Sequence, residues 1–373
     1  MTEVRKPSTA ALFGAGLAAM ALMLAAMVAL PHTDYIRWQA PKQEAEARLG
    51  WLYERIHYDP TPIDVAFIGT SHTLNGIDAA AVQARIAADG LRNADGSCVT
   101  VTNLAIPAYG RSLHWEIARE LLSVRKPKLL VVEVFESETR KAHPYFADIG
   151  TVGDIVGAPM LVNVGYMKDL IRLPYRQLSL AVKSANPAAV GLKPRFDPGD
   201  YDGSNVDNSR YVNIDGVELT PYRDKVMPAA QLERAAARIA ARKEPNMLGP
   251  AFAQYEYALP RRYMGNILAL AKARGVPVRF LYLPGYGRPA APVTLPGMAI
   301  ADRTLFVNDI LKNTGIWYDN EHLNADGAKL LSQRLGAMLG PIVGTPAAAG
   351  ATGTCRFGYP QRANTVRFTP KRS

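Results

Sequence analysis

From Thr9 to Leu30 the chain reads TAALFGAGLAAMALMLAAMVAL, and no Asp, Glu, Lys or Arg occurs between Lys6 and Asp34. As a helix this run would be about 33 Å long, enough to cross a bilayer. Arg5 and Lys6 precede it, which predicts a cytoplasmic N-terminus (1–8), a transmembrane anchor (9–30) and a main body facing outward, into a periplasm or its equivalent. A cleaved signal peptide is the alternative. Those have a shorter apolar core and a small-x-small site, and Met27-Val28-Ala29-Leu30-Pro31 holds no clean Ala-x-Ala. The expectation is therefore a retained single-pass inner-membrane anchor. The abundance of Ala and Gly also leaves room for a buried helix.

Beyond the anchor the pattern alters. In residues 41–57, Leu49, Trp51, Leu52 and Ile56 alternate with charges, which predicts an amphipathic helix within a juxtamembrane linker spanning 31–62. Short apolar runs follow at 63–69, 99–104, 129–135 and 278–283. Each suits a strand of a covered parallel sheet. Helical patterns lie between and after them, at 78–89, at 112–124 with Ser112 as its cap, at 261–274, at 301–312 and at 325–339. A short extended segment is expected at 316–318. Strands alternating with helices predict an α/β domain over 63–343, with a doubly wound, mainly parallel sheet. Ligands of such sheets bind beyond the carboxyl ends of the strands.

Between about 140 and 250 the alternation stops. Residues 154–172 are apolar nearly all round, 194–226 are loop-like, and 229–243 form a strong helix pattern. This predicts a mostly helical insertion over the sheet edge, as a lid or substrate platform. Residues 344–373 form a tail rich in Ala, Gly, Thr and Pro.

The length of 373 residues, with 48% hydrophobic and 20% charged, excludes a disordered chain, a collagen and a coiled coil. A single long apolar run excludes a polytopic transporter. The net charge of +10 would admit a nucleic acid, a membrane surface or an anionic polymer as partner. Half of that excess, however, sits in the tail at Arg356, Arg362, Arg367, Lys371 and Arg372, and no aromatic-basic platform accompanies it. No nucleic-acid partner is expected. Two cysteines exclude a dense disulfide scaffold. In an exported chain Cys98 and Cys355 can pair and tie the tail to the body, or remain two unrelated thiols.

Two motifs carry candidate chemistry. In Phe67-Ile68-Gly69-Thr70-Ser71-His72, a strand runs into Gly-Thr-Ser and sets Ser71 at the sheet's carboxyl end. A serine hydroxyl there becomes a nucleophile if a base takes its proton, and amides of the turn can hold an oxyanion. Ser71 or Thr73 could instead merely cap the next helix. In Asp319-Asn320-Glu321-His322, the Asp stands three residues before a His and can bond its Nδ1. His322 would then serve as general base and general acid.

Together these two blocks resemble the first and last blocks of the SGNH, or GDSL-like, hydrolases. The resemblance spans about 63–343 but is specific only in the two blocks. It implies the flavodoxin-like SGNH fold, with Ser71 as nucleophile, His322 as base and Asp319 as its orienter. The oxyanion hole would draw on the amides of Ser71 and of Ala105, in the Asn103-Leu104-Ala105 counterpart of the second block, with Gly110 as a further candidate. The third block departs from the family: Phe135-Glu136-Ser137-Glu138 stands where Gly-x-Asn-Asp is usual, so an Asn donor is missing. An ionised Glu136 or Glu138 nearby would repel an oxyanion. With the single anchor, the chain looks like membrane-anchored SGNH proteins that modify envelope polymers, such as alginate O-acetylation and teichoic-acid D-alanylation proteins. That likeness implies a membrane-bound O-acyltransferase and an envelope polysaccharide as partners. It implies acyl transfer or ester hydrolysis, or else a non-catalytic scaffold on the same fold. A plain serine lipase or peptidase-like hydrolase is a third possibility.

Other residues carry blander expectations. His72 is read as pointing away from Ser71, and His114 as a packed helix residue. Arg288, in Pro284-Gly285-Tyr286-Gly287-Arg288 after the fourth strand, can bind an anionic substrate group or only solvate a loop. Gly285 and Gly287 make no dinucleotide fingerprint, and no Walker, EF-hand or His-x-x-x-His pattern occurs. No metal and no cofactor are expected.

Overall fold

The computed structural model describes residues 8–41, 44–201, 203–204, 213–214, 217–218, 225–241, 247–292, 300–347 and Cys355. The tail residues 356–373, with their basic cluster, lie outside this set.

Five strands form one parallel sheet: β1 (Val65–Ile68), β2 (Val101–Asn103), β3 (Leu129–Val134), β4 (Val278–Tyr282) and β5 (Thr304–Phe306), in the order β2-β1-β3-β4-β5. Helices cover both faces, which explains why the central strands read as unbroken apolar runs. Ala66, Ile68, Leu130, Val132 and Phe280 face a core shared with α3 (Glu44–His57), α6 (Arg111–Val124) and α9 (Ala258–Arg274). Val65, Phe67, Leu129, Val131 and Leu281 face a second core with α5 (Ala79–Ala88) and α10 (Ala325–Val343). The strand order reverses between β1 and β3, so a crevice is expected beyond the carboxyl ends there.

The helix at Thr9–Val28, α1, is long and apolar enough to cross a membrane, and none of its residues is buried. A short α2 (Asp34–Gln39) follows it. Residues 31–62 are not a linker outside the domain. Tyr35, Ile36 and Trp38 of α2, with Leu49, Leu52 and Ile56 of α3, are buried in the first core. The apolar spacing that predicted an amphipathic helix marks the inner face of a domain helix.

The segment 301–312, expected as one helix, holds a 3₁₀ turn, strand β5 and a short helix at Asn308–Leu311. Pairing of Thr304 with Phe280 and Phe306 with Tyr282 overrides the local helical pattern. Ser112 does not cap α6. Gly110 stands at that position, and the Ser112 hydroxyl instead accepts from the His143 amide at 2.9 Å. In the expected extended segment, Thr314–Ile316 is a 3₁₀ turn and Trp317 bridges Leu323. Within the expected insertion, α7 (Tyr166–Ala185) and α8 (Ala229–Ala240) are separate helices. Cys98 and Cys355 are joined as a disulfide, with Cα atoms 5.9 Å apart.

Candidate active site

The β1 run ends at Gly69, where a Cβ would collide with Thr73 Oγ1 and Glu133 Oε2. Only glycine permits that close approach, and the approach builds the turn. Thr70 caps the six-residue α4 (Ser71–Gly76) by accepting from the His72 amide at 3.2 Å. Ser71 is therefore the first residue of the helix, not its cap. Glu133, at the centre of the sheet on β3, fastens the turn. Its buried carboxylate accepts from the Thr70 amide at 2.7 Å, the Thr70 hydroxyl at 3.0 Å and the Thr73 hydroxyl at 2.6 Å.

The loop before α10 is closed by backbone bonds from Tyr318 N–H to His322 C=O (3.0 Å) and from Asn324 N–H to Ile316 C=O (2.9 Å). Asn324 caps α10, its Oδ1 accepting from the Gly327 amide at 2.9 Å. Inside the loop, Asp319 Oδ1 accepts the amides of Glu321 and His322, both at 2.7 Å. Asp319 Oδ2 lies 2.9 Å from His322 Nδ1, and His322 Nε2 lies 2.8 Å from Ser71 Oγ. The three residues picked from two motifs, separated by 251 positions, form one continuous hydrogen-bonded chain. His322 and Asp319 keep 22% and 33% of their side-chain exposure, so the chain opens to solvent. Burial would raise the Asp319 carboxyl, but the bonds from His322 and the amides hold it below the usual carboxylate range. An ionised Asp319 fixes the Nδ1–H tautomer, which leaves Nε2 to accept the Ser71 proton.

The expected oxyanion donors divide. The Ser71 amide begins the helix and has no hydrogen-bond partner among the described residues. The Ala105 amide is not available: it is buried and donates to Asn103 Oδ1 at 3.1 Å. Asn103 donates to the carbonyls of Thr73 and Ile77, each at 3.0 Å, so its side-chain amide is committed to the Ser71 helix. Gly110 packs onto the His143 backbone, where a Cβ would not fit.

The two carboxylates of the third block are neutralised. Glu138 is bound by Arg111 at 2.6 Å, and Arg111 also stacks on Phe135 and donates to the Glu133 carbonyl. Glu136 lies 3.4 Å from Arg288, and burial raises its carboxyl against the pull of His72 and Arg288. Arg288 is in turn held by Glu321 Oε1 at 2.6 Å. Its guanidinium is committed to two carboxylates beside a cleft of about 290 Å³ lined by Pro284 to Ala290, Asn308, Leu311 and Lys312.

His72 does not point away from the site. Its buried ring lies 5.6 Å from that of His322, with Nδ1 2.8 Å from the Leu283 carbonyl. Nε2 sits 3.2 Å from the Tyr109 hydroxyl and 3.3 Å from Glu321 Oε2. Burial would lower its pKa, but Glu321, Glu133 and Glu136 raise it to about 9. His114 is buried in α6, as expected, and burial beside Arg111 holds it well below the ordinary value. Glu133, Glu321 and Tyr109 were not singled out from the sequence. Glu133 had one signal, a lone charge inside an apolar strand run.

Searches of family models, curated proteins and solved structures match nothing.

Proposed function

We propose that this chain is a membrane-anchored acyl-transfer enzyme of SGNH type. The supporting observation is the chain Ser71 Oγ to His322 Nε2 to Asp319, at 2.8 and 2.9 Å. In the reaction, Ser71 Oγ attacks an acyl ester carbonyl while its proton moves to His322 Nε2. The Ser71 amide receives the oxyanion. His322 then protonates the departing alcohol, leaving the acyl group on Ser71. A sugar hydroxyl or water next gives its proton to His322 and attacks the acyl carbon, which restores Ser71–H. The acceptor we favour is a hydroxyl of an envelope polysaccharide, with a small acyl group such as acetyl. The domain would lie outside the inner membrane, where the Cys98–Cys355 disulfide would persist, beside a membrane-bound O-acyltransferase.

One observation favours a second reading. The Ala105 amide is taken and the Asn of the third block is absent, which suits a non-catalytic scaffold. A fluorophosphonate probe and a small acyl ester, applied to the full chain in detergent, separate the two. Labelling and turnover that vanish in Ser71→Ala, with unchanged thermal unfolding, support the enzyme. An unlabelled, folded wild-type chain supports the scaffold.

A further inference from the structure

Helix α7 is apolar on two faces. Leu173 and Leu180 are buried toward the domain. On the other face Met167, Ile171, Tyr175, Leu178 and Val182 are exposed, Ile171 at 72% and Tyr175 at 74%. At 100° per residue these five positions fall within one stripe, roughly opposite the buried one. A stripe this long and continuous on a domain surface marks a contact with something apolar.

Its place in the fold says what that is. The Gln177 amide donates to the Val28 carbonyl at 3.2 Å, and the Thr33 amide donates to Ser184 Oγ at 3.2 Å. In the last two turns of α1 only Met27 and Val28 lose exposure, so α7 meets α1 at its foot, where the span leaves the bilayer. Lys168 and Lys183 lie along one flank of the stripe, where cations can meet headgroup phosphates.

We propose that α7 is an interfacial helix, lying with this stripe in the headgroup and upper acyl region of the same bilayer that α1 crosses. The domain would then sit on the membrane at two points, with the orientation of the sheet set by α7 and not by a free tether. The inference depends on α1 as a span, not on the acyl-transfer reading. Such helices bury an apolar face about 5–10 Å deep.

The test uses the full chain in lipid nanodiscs. The native cysteines are joined to each other, so an introduced cysteine carries a fluorophore selectively. Labels at Ile171→Cys and Leu178→Cys replace exposed side chains, so folding is not at stake. Both should be quenched by nitroxide lipids labelled high on the acyl chain and lose quenching by aqueous iodide. Arg334→Cys on α10, across the sheet, should show the reverse. A 171 label as open to iodide as the 334 label overturns the proposal. So does a label shielded from both quenchers, which would mean a second copy of the chain covers the stripe. A Met20→Cys label reports α1 separately: quenching at 171 without quenching at 20 removes the span and overturns the two-point seating on one bilayer.

Discussion

On one side of the candidate site, Asp319, Glu321 and His322 lie within four positions, and Asp319 holds the amides of the other two at 2.7 Å. From this loop, His322 reaches Ser71 across the fold, and Glu321 reaches Arg288 and His72. On the opposite side nearly every contact is long-range. Arg111 reaches Glu138, Arg288 reaches Glu136, and His143 Nε2 reaches the Pro107 carbonyl at 2.8 Å. The first side is a local motif docked at a few points. The second is a set of distant pairs, each needing the whole sheet. Under the proposed mechanism the proton relay is thus encoded compactly, while the surroundings of the acyl carbonyl depend on tertiary assembly.

The sharpest way to break the local side is Asp319→Asn. The amide side chain keeps the loop's shape but can present its NH₂ to His322 Nδ1 and favour the wrong tautomer. Under the proposed mechanism the labelling rate of Ser71 should fall by about 10⁴-fold, with little change in unfolding midpoint. A fall of less than tenfold would mean that His322 does not act as the base.

Glu133→Ala tests the docked side. It removes the acceptor for the Thr70 amide and the Thr70 and Thr73 hydroxyls in a buried place. The expected loss is about 3 kcal/mol, read by denaturant unfolding. Glu133→Gln keeps one acceptor oxygen and should cost less than Glu133→Ala. Equal losses in the two variants would show that packing, not hydrogen bonding, holds the nucleophile turn.

This contrast also explains what the sequence revealed. Ser71, Asp319 and His322 were legible because Gly-Thr-Ser follows a strand and Asp-x-x-His precedes a helix, both short-range patterns. Four strands of the sheet were legible as apolar runs. The three-residue β5 was not, because it is too short to show a period and exists only through its pairing with β4. Ala105 was chosen from the resemblance of Asn103-Leu104-Ala105 to the family's second block, which could not show the Asn103 side chain occupying its amide. Glu133 was passed over because its threonine partners lie 60 and 63 positions away. Glu136 and Glu138 looked repulsive because Arg288 and Arg111 are far off in sequence.

His72 and Glu321 join the two sides, so their titration sharpens the comparison. The folded-state pKa of His72 is raised from 6.5 to about 9, against the effect of burial and with the Glu321 contact as the largest opposing cause. A group raised on folding stabilises fully below its unfolded value, and that contribution disappears as pH rises through the folded value. Stability should therefore decline between pH 6.5 and about 9 through this one group. Glu321 is lowered on folding, burial being outweighed by His72 and Arg288, so its share disappears only as pH falls below 4.5. In Glu321→Gln the proton on His72 loses its main partner while burial continues to oppose it. The melting temperature of that variant, measured from pH 6 to 10, should be lower than wild type at pH 6, and the gap should narrow toward pH 10 to what the lost Arg288 pairing costs. Parallel curves would assign the proton to Glu133 and Glu136 instead. His72 would then belong to the sheet's long-range network alone, not to the loop that carries His322.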